Sequence, residues 1–425
     1  MRGPVLPLMG STGIIERKAM THDFVSLAVI ALVAAAAPII ANLIPRKPIP
    51  ETVLLLAGGA VLGPAMLNVI WTDESVMLLS DLGCAMLFLL AGYEIDPKTV
   101  TGREGKRGLA TWLVTLMLAF AAVHCFTSVS ARGLDGLAVT IALTTTAIGA
   151  LMPILKERGQ LNTRLGESVL AYGTWGELGP IVAMALLLST RSTWVTIAIL
   201  FLFVAIAVLT AVFGHQSSRK EGPIRDIFFA GRDTTSQTFV RTTLMLLIAL
   251  VAVSALFHLD IVLGAFAAGF ILRYLIPEGD HDLEKKLNAI GYGFFIPLFF
   301  VVSGAKIDLF AVLEDPLLLF GFITMLVLIR TVPIFLSIHY DKDPEVATMG
   351  GRAHATVAVY CTTALPLIVA VTSVAVNAGA MDASTASVFV SAGALTMLIM
   401  PLLAAGIYRV ADKHPIEFIK EHVSR

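Results

Sequence analysis

Long apolar stretches, separated by short polar or glycine- and proline-containing segments, dominate the chain. Runs of about 20 such residues are typical of helices that cross the hydrocarbon core of a bilayer. The pattern therefore predicts an all-α, multi-pass membrane protein. Thirteen transmembrane helices are predicted, near residues 24–44, 52–70, 75–97, 107–130, 134–155, 165–189, 193–214, 240–258, 260–275, 288–310, 316–339, 352–377 and 386–410.

The positions of lysine and arginine support this count, because loops rich in these residues stay on the cytoplasmic side. With thirteen spans and the N-terminus outside, 23 of the 30 basic residues lie on the cytoplasmic side and five lie outside. The remaining two, Lys306 and Arg330, lie within spans. We therefore expect a plasma-membrane protein with an external N-terminus and a cytoplasmic C-terminus.

The two ends of the chain are predicted to lie outside the membrane domain. Residues 1–23 form a polar N-terminal extension, in which Met20 offers an alternative start of translation. The first apolar run is too long for the core of a signal peptide, so it is predicted to be a retained helix. A cytoplasmic tail is predicted over residues 411–425, with no regulatory domain after the last span.

The composition narrows the function classes. Hydrophobic residues make up 57% of the chain, charged residues 14%, and the mean hydropathy is +0.84. The 30 basic and 31 acidic residues nearly balance, which disfavours a nucleic-acid partner. The three cysteines have no disulfide or metal-ligand spacing, and the phosphate-binding pattern GxxxxGK[ST] is absent. No cofactor is predicted, and ATP-driven pumping by this chain alone is disfavoured.

An internal repeat relates the two halves of the chain. The phrase LFLLAGYEID at 87–96 returns as LFFVVSGAKID at 298–308, and TTTAIGALMP at 144–153 returns as TTALP at 362–366. LLAGGAVLGP in the second span and LGAFAAGFIL in the ninth form a weaker third pair. Each pair is seven spans apart, so the two copies cross the membrane in opposite directions. Such inverted repeats are characteristic of secondary transporters.

Two spans related by the repeat are predicted to be broken near the middle of the membrane. Proline lacks a backbone donor, and threonine hydroxyls compete for helical hydrogen bonds. Unwound segments of this kind coordinate ions in transporters, although a kinked, continuous helix remains an alternative. Each span carries a threonine cluster and a later proline: Thr144, Thr145 and Thr146 with Pro153, and Thr362 and Thr363 with Pro366.

Glu177 lies at the centre of the sixth span, within the sequence GTWGELGP at 173–180. An ionised carboxylate costs about 2.5–3.5 kcal/mol at the centre of a membrane helix, so it needs a partner, a water-filled cavity or a proton. A carboxylate that holds either a proton or a cation, but not both, suits an antiporter. Glu177 is therefore the predicted ligand of a monovalent cation. The alternative is a structural carboxylate permanently paired with Arg330 or Lys306.

Three other charged residues receive weaker predictions. Lys306 is a candidate charge partner of Glu177, or it extends to the outer interface of the membrane. Arg330 lies in the middle of the eleventh span and must be paired, and a structural role is favoured for it. Glu94 lies near a span end and is interpreted as an interfacial residue.

Five phrases together resemble the second family of monovalent cation:proton antiporters, which includes sodium/proton antiporters and potassium efflux systems. They are AGYEID, TTTAIGALMPILKERG, GAFAAGFIL, FFIPLFFVVSGAKIDL and TTALPLIVA, and the resemblance covers residues 24–410. It implies the sodium/proton antiporter fold: a homodimer of about thirteen helices per chain, in which two crossed broken helices traverse a six-helix core. It also implies elevator-like alternating access.

The resemblance divides the transmembrane domain, 24–410, into two parts. Core helices are expected over about 75–189 and 288–410, and dimerisation helices over about 24–70 and 240–275. The ion-binding threonines of the family correspond to Thr145, Thr146, Thr362 and Thr363.

One position departs from the family pattern. The ion-binding carboxylate of the family is usually an aspartate preceded by asparagine, aspartate or glutamine, and here Gly176 and Glu177 take these positions. With a single central carboxylate, electroneutral one-for-one exchange is expected.

The sequence thus predicts a transporter that exchanges Na⁺ or K⁺ for H⁺, and not an enzyme. An alternative is a sodium-coupled symporter of organic anions, a class with similar inverted repeats. A membrane-embedded enzyme is disfavoured, because the histidines lie near span ends and form no HExxH pattern.

Overall fold

The computed structural model describes residues 10–43, 49–95, 100, 102–127, 135–187, 237–257, 259–276 and 280–412. Within these ranges the chain is helical and forms no β-strand. A π-helical turn at Gly291–Phe295 joins the helix that ends at Ile290 to the helix that begins at Ile296. The helices are α1 (Gly10–Leu43), α2 (Glu51–Leu62), α3 (Glu74–Glu94), α4 (Arg103–Thr127), α5 (Asp135–Ala142), α6 (Ile148–Glu157), α7 (Arg164–Leu187), α8 (Thr238–Leu256), α9 (Ile261–Leu275), α10 (His281–Ile290), α11 (Ile296–Ala305), α12 (Leu309–Glu314), α13 (Pro316–His339), α14 (Pro344–Ala347), α15 (Gly350–Tyr360), α16 (Leu365–Asn377) and α17 (Ala383–Asp412).

Twelve of the thirteen predicted spans correspond to one helix or to consecutive helices. The seventh predicted span, 193–214, and the tail beyond residue 412 lie outside the described residues. Helix α1 begins at Gly10, inside the predicted N-terminal extension, and its apolar part suited to a membrane starts at His22. Nine helical segments in the described ranges are long and apolar enough to cross a membrane, and α2 and α9 are shorter apolar helices.

The two predicted broken helices are broken, and they run antiparallel. Arg103 at the start of α4 pairs with Asp341 and Asp343, which precede α15, at 3.1 Å each. At the start of α5, a Cβ on Gly136 would lie 3.4 Å from Val123, near the end of α4. Helix α5 therefore starts at the membrane face opposite to the start of α15, as an inverted repeat requires.

Glycine packing shows the inverted repeat in three dimensions. Helix α2 meets α11 at Gly59 and Gly304, where an added Cβ would lie 2.0 and 2.2 Å from a carbonyl oxygen of the facing helix. Helix α9 meets α3 in the same way at Gly269 and Gly92, with distances of 2.0 and 2.3 Å. In all four cases the carbonyl belongs to the residue three positions before the facing glycine. Backbones touch at equivalent places, because only glycine allows so close an approach.

A cluster of ion pairs ties several helices together at the face predicted to be cytoplasmic. Asp341, whose side chain is 5% exposed, pairs with both Arg103 and Arg107. Arg107 also donates to the Ser337 carbonyl at 2.7 Å. Arg164, the first residue of α7, pairs with carboxylates of α4 and α14. The start of α4 is therefore joined to the end of α13, and the start of α7 is joined to α4 and α14.

The buried fraction differs widely between the helices. In the most apolar part of each span, 83% of residues are buried in α15–α16 and 72% in α7, against 17% in α1 and 28% in α8. The division into core and dimerisation helices stays a prediction.

Candidate functional site

The unwound parts of the two broken helices touch each other. One separates α5 from α6 at residues 143–147, and the other separates α15 from α16 at residues 361–364. The Ala147 N–H donates to the Thr363 carbonyl at 2.7 Å. The Thr146 hydroxyl donates to the Cys361 carbonyl at 2.5 Å. These two bonds form the crossing point of the repeat.

A proline in α7 provides an acceptor for the first unwound segment. Pro180 has no N–H, so the carbonyl four residues earlier, that of Gly176, has no partner within its own helix. The Thr146 N–H donates to this carbonyl at 2.8 Å. The sequence GELGP therefore leaves a free acceptor in the interior, and the unwound segment uses it.

The Glu177 carboxylate accepts a hydrogen bond from the backbone at the start of α6. The N–H of Ile148, the first residue of α6, donates to the Glu177 carboxylate. A carboxylate at a helix start also interacts favourably with the positive end of the helix dipole. The Glu177 residue is 6% exposed. The N–H groups of residues 146, 147 and 148 thus find partners on α7 and on the other unwound segment.

The predicted threonines differ in what their hydroxyls do. Those of Thr144, Thr145 and Thr362 donate to carbonyls three residues earlier in their own segments, at 2.8, 2.8 and 2.5 Å. Thr146 bridges the two segments. The Thr363 hydroxyl is buried and has no hydrogen-bond partner among the described residues.

Neither candidate charge partner, Arg330 or Lys306, forms an ion pair with Glu177 in the described structure. Arg330 is 1% exposed and donates to the Thr146 hydroxyl and to the Tyr172 carbonyl. Lys306 is exposed at the end of α11, and its charge interacts with Asp81. In the part of the chain that is described, no ion pair within 4.0 Å involves Glu177.

A cavity of about 1160 Å³ leads to Glu177 from the face predicted to be cytoplasmic. Its lining includes Asn42 and Glu51 beside the α1–α2 loop, Gln160 after α6, and Tyr408 near the end of α17. Water and ions from that face therefore have a route to the crossing point.

Two residues that the sequence analysis did not select lie in the same cavity. Glu94, interpreted as interfacial, lines it together with Tyr292, and the Glu94 Oε2 atom is buried without a partner among the described residues. A Cβ on Gly149 would lie 3.7 Å from Glu94 Oε2 and 3.9 Å from the Tyr292 hydroxyl. The repeat carried a signal for Glu94, because it occupies the position of Lys306 in the matched phrase.

Known proteins share both the sequence pattern and the fold. A family model described as sodium/hydrogen exchanger, transmembrane, matches residues 28–407. Among solved structures, the sodium proton antiporter MjNhaP1 from Methanocaldococcus jannaschii at pH 8 superposes with a TM-score of 0.62 at 15% identity. The match covers 91% of this chain and 97% of that chain. At this identity the likeness concerns the fold alone.

Three curated relatives have closely similar levels of identity. The putative Na(+)/H(+) antiporter YjbQ of Bacillus subtilis is 27% identical, over 76% of this chain and 54% of that protein. Probable Na(+)/H(+) antiporter 3 of M. jannaschii is 26% identical, over 64% and 69%. The glutathione-regulated potassium-efflux system protein KefC of Escherichia coli K12 is 28% identical, over 63% and 44%. The chain matches about half the length of the first and third relatives.

Replacing Pro180 with alanine tests how the crossing is held. The new N–H at position 180 would compete with the Thr146 N–H for the Gly176 carbonyl. We expect faster deuterium uptake in the peptide that contains residues 143–148. Removal of a proline from the interior of a helix usually stabilises the helix, by up to about 3 kcal/mol. The Pro180→Ala variant should not show this gain in stability.

The matched control is Pro38→Ala, because Pro38 also lies inside a helix, α1. That variant should change deuterium uptake only around α1. Unchanged uptake at 143–148 in Pro180→Ala would contradict the assignment of the freed carbonyl.

Proposed function

The chain belongs to the sodium/hydrogen exchanger transmembrane family, and on that premise we propose that it exchanges a monovalent cation, Na⁺ or K⁺, for H⁺ by alternating access. The observation that carries the proposal is Glu177. Its carboxylate lies at the crossing of two unwound segments and at the inner end of a cavity, with no basic partner within ion-pairing distance among the described residues. Acidic residues inside a membrane that face a water-filled cavity commonly mark ion pathways and proton relays.

Competition for one carboxylate couples the two ions. Ionised Glu177 attracts a cation, and protonated Glu177 has no charge to hold it. Proton binding therefore expels the cation, and cation binding expels the proton. If the carrier changes face only with Glu177 occupied, each turnover moves one ion each way.

Oxygen atoms around Glu177 would complete the cation site. The unpartnered Thr363 hydroxyl is one candidate, and the carbonyls of the unwound segments, which include those of Thr145, Thr146 and Thr362, are others. Transporters of this architecture hold monovalent ions with such half-helix ends and unwound carbonyls. All five predicted site residues remain part of the proposal.

Glu94 would act as a staging carboxylate, which means that it attracts cations from the cytoplasm before they reach Glu177. It lines the same cavity, and its charge interacts with that of Glu177. A negative charge along a low-dielectric path raises the local concentration of cations. When neither carboxylate has bound a cation, the repulsion between their negative charges favours protonation of one of them.

The cellular setting of this exchange extends the proposal. We place the protein in the plasma membrane with the N-terminus outside, so that the observed cavity faces the cytoplasm. A homodimer held by α1, α2, α8 and α9, with the core moving as an elevator, follows from the family resemblance and stays a prediction.

Glu177→Gln should abolish exchange, because glutamine neither ionises nor releases a proton. Proteoliposomes loaded with a pH-sensitive dye would receive Na⁺, K⁺ and Li⁺ in turn. Wild-type protein should move protons with at least one cation, whereas the variant should match protein-free liposomes. The control is Glu51→Gln, which removes another carboxylate from the same cavity wall and should keep the exchange activity. Full activity of Glu177→Gln would remove the central claim.

Glu94→Gln should weaken cation uptake without stopping it. A staging role predicts a half-saturating cation concentration about tenfold higher, equivalent to about 1.4 kcal/mol, with a nearly unchanged maximal rate. Loss of all exchange would instead assign Glu94 to the central site, and no change would leave it without a transport role.

The one-for-one stoichiometry predicts that no net charge moves. Exchange rates in proteoliposomes should therefore be the same at imposed potentials of either sign. The gradients at equilibrium should also be independent of voltage. Rates and end points that follow the potential would contradict a single exchanging carboxylate.

A further inference from the structure

The space beside Gly176 is filled by an arginine from another helix. A Cβ at position 176 would lie 1.9 Å from the Arg330 Nη2 atom and 2.4 Å from the Thr146 hydroxyl oxygen. Real Cβ atoms do not approach other atoms so closely. Any residue larger than glycine at 176 must therefore displace the guanidinium or the crossing itself.

Arg330 makes directed contacts at this place. Its Nε and Nη2 atoms both donate to the Thr146 hydroxyl, at 3.1 and 2.7 Å, and Nη2 donates to the Tyr172 carbonyl at 3.3 Å. The same hydroxyl donates to the Cys361 carbonyl. One threonine oxygen thus joins α13 and both unwound segments, and the arginine bound to it also contacts α7 through the Tyr172 carbonyl.

We propose that Gly176 and Arg330 form one positioning unit for the exchange site. The guanidinium occupies the volume of the missing side chain at 176 and holds Thr146, and through it the crossing point beside Glu177. Arg330 is a positioning residue, because it acts through Thr146 and does not touch the transported ion. The inference rests on the proposed function and adds the residue pair that fixes the geometry of its site.

A double-mutant cycle tests the unit in proteoliposomes. Gly176→Asn and Arg330→Met should each slow exchange roughly tenfold to hundredfold, as small misplacements of a site do. Both should raise the half-saturating cation concentration, a change that a mere loss of folded protein would not produce. Independent losses would multiply in the double variant. A shared unit predicts that the double variant is no slower than the slower single variant.

Three further variants, Arg330→Lys, Gly176→Ala and its control Gly321→Ala, make the result specific. Arg330→Lys keeps the charge but has a single donor atom in place of Nε and Nη2, so we expect it to fall between Arg330→Met and wild type. Gly321→Ala is the matched glycine control on α13, because a Cβ there meets nothing within 4 Å. Wild-type kinetics in Gly176→Ala, or multiplying losses in the double variant, would overturn the proposal.

Thermal unfolding of the purified protein separates this inference from the proposed function. If wild-type protein exchanges no cation for protons, the proposed function fails, and the pairing is judged from unfolding midpoints. Gly176→Ala should then lower the midpoint, Gly321→Ala should not, and the double variant Gly176→Asn/Arg330→Met should again be non-additive. Additive midpoints would overturn the pairing even if exchange is observed.

Discussion

The lipid bilayer supplies no hydrogen bonds, and that constraint governs the centre of this protein. A helix that unwinds in the membrane must find new partners for its backbone donors and acceptors. Here three consecutive N–H groups, of residues 146 to 148, bond to the Gly176 carbonyl, the Thr363 carbonyl and the Glu177 carboxylate. Two of these partners come from α7, and the proline in that helix makes the first of them available.

The same constraint explains why Glu177 is tied to the architecture of the core. Its carboxylate completes the start of α6 and also faces the cavity. Under the proposed function, a proton or a cation therefore binds to a group that already holds one half of a broken helix. Under that function, this single side chain would link occupancy of the site to the geometry of the crossing.

A series of polar contacts connects this crossing with the face predicted to be cytoplasmic. Ser337 on α13 bonds to the Tyr172 hydroxyl at 2.9 Å, and its carbonyl accepts from Arg107. The Tyr172 carbonyl accepts from Arg330. Helices α4, α7 and α13 are thus joined at Ser337, and α7 and α13 are joined again at the crossing. The arginine also accounts for the departure at Gly176 from the pattern of the family that the chain resembles.

Periodicity and residue chemistry were sufficient to predict the repeat, the broken helices and the twelve spans that lie within the described residues. The length of an apolar run matches the thickness of the membrane, and glycine, proline and threonine mark the places where a helix can unwind. For the same reason, the lone acid at 177 could be singled out in the sequence. These are local properties, and a linear pattern contains them.

Contacts between distant segments were decided only by the tertiary structure. The sequence offered Lys306 and Arg330 equally as partners for Glu177, whereas packing directs Arg330 to Thr146 and leaves Lys306 beside Asp81. The repeat matched Glu94 with Lys306, but it did not show that the Glu94 carboxylate is buried and has no hydrogen-bond partner among the described residues, because that depends on its neighbours. Side-chain direction and the space left by a glycine depend on which helix lies opposite, and no single stretch of chain encodes that.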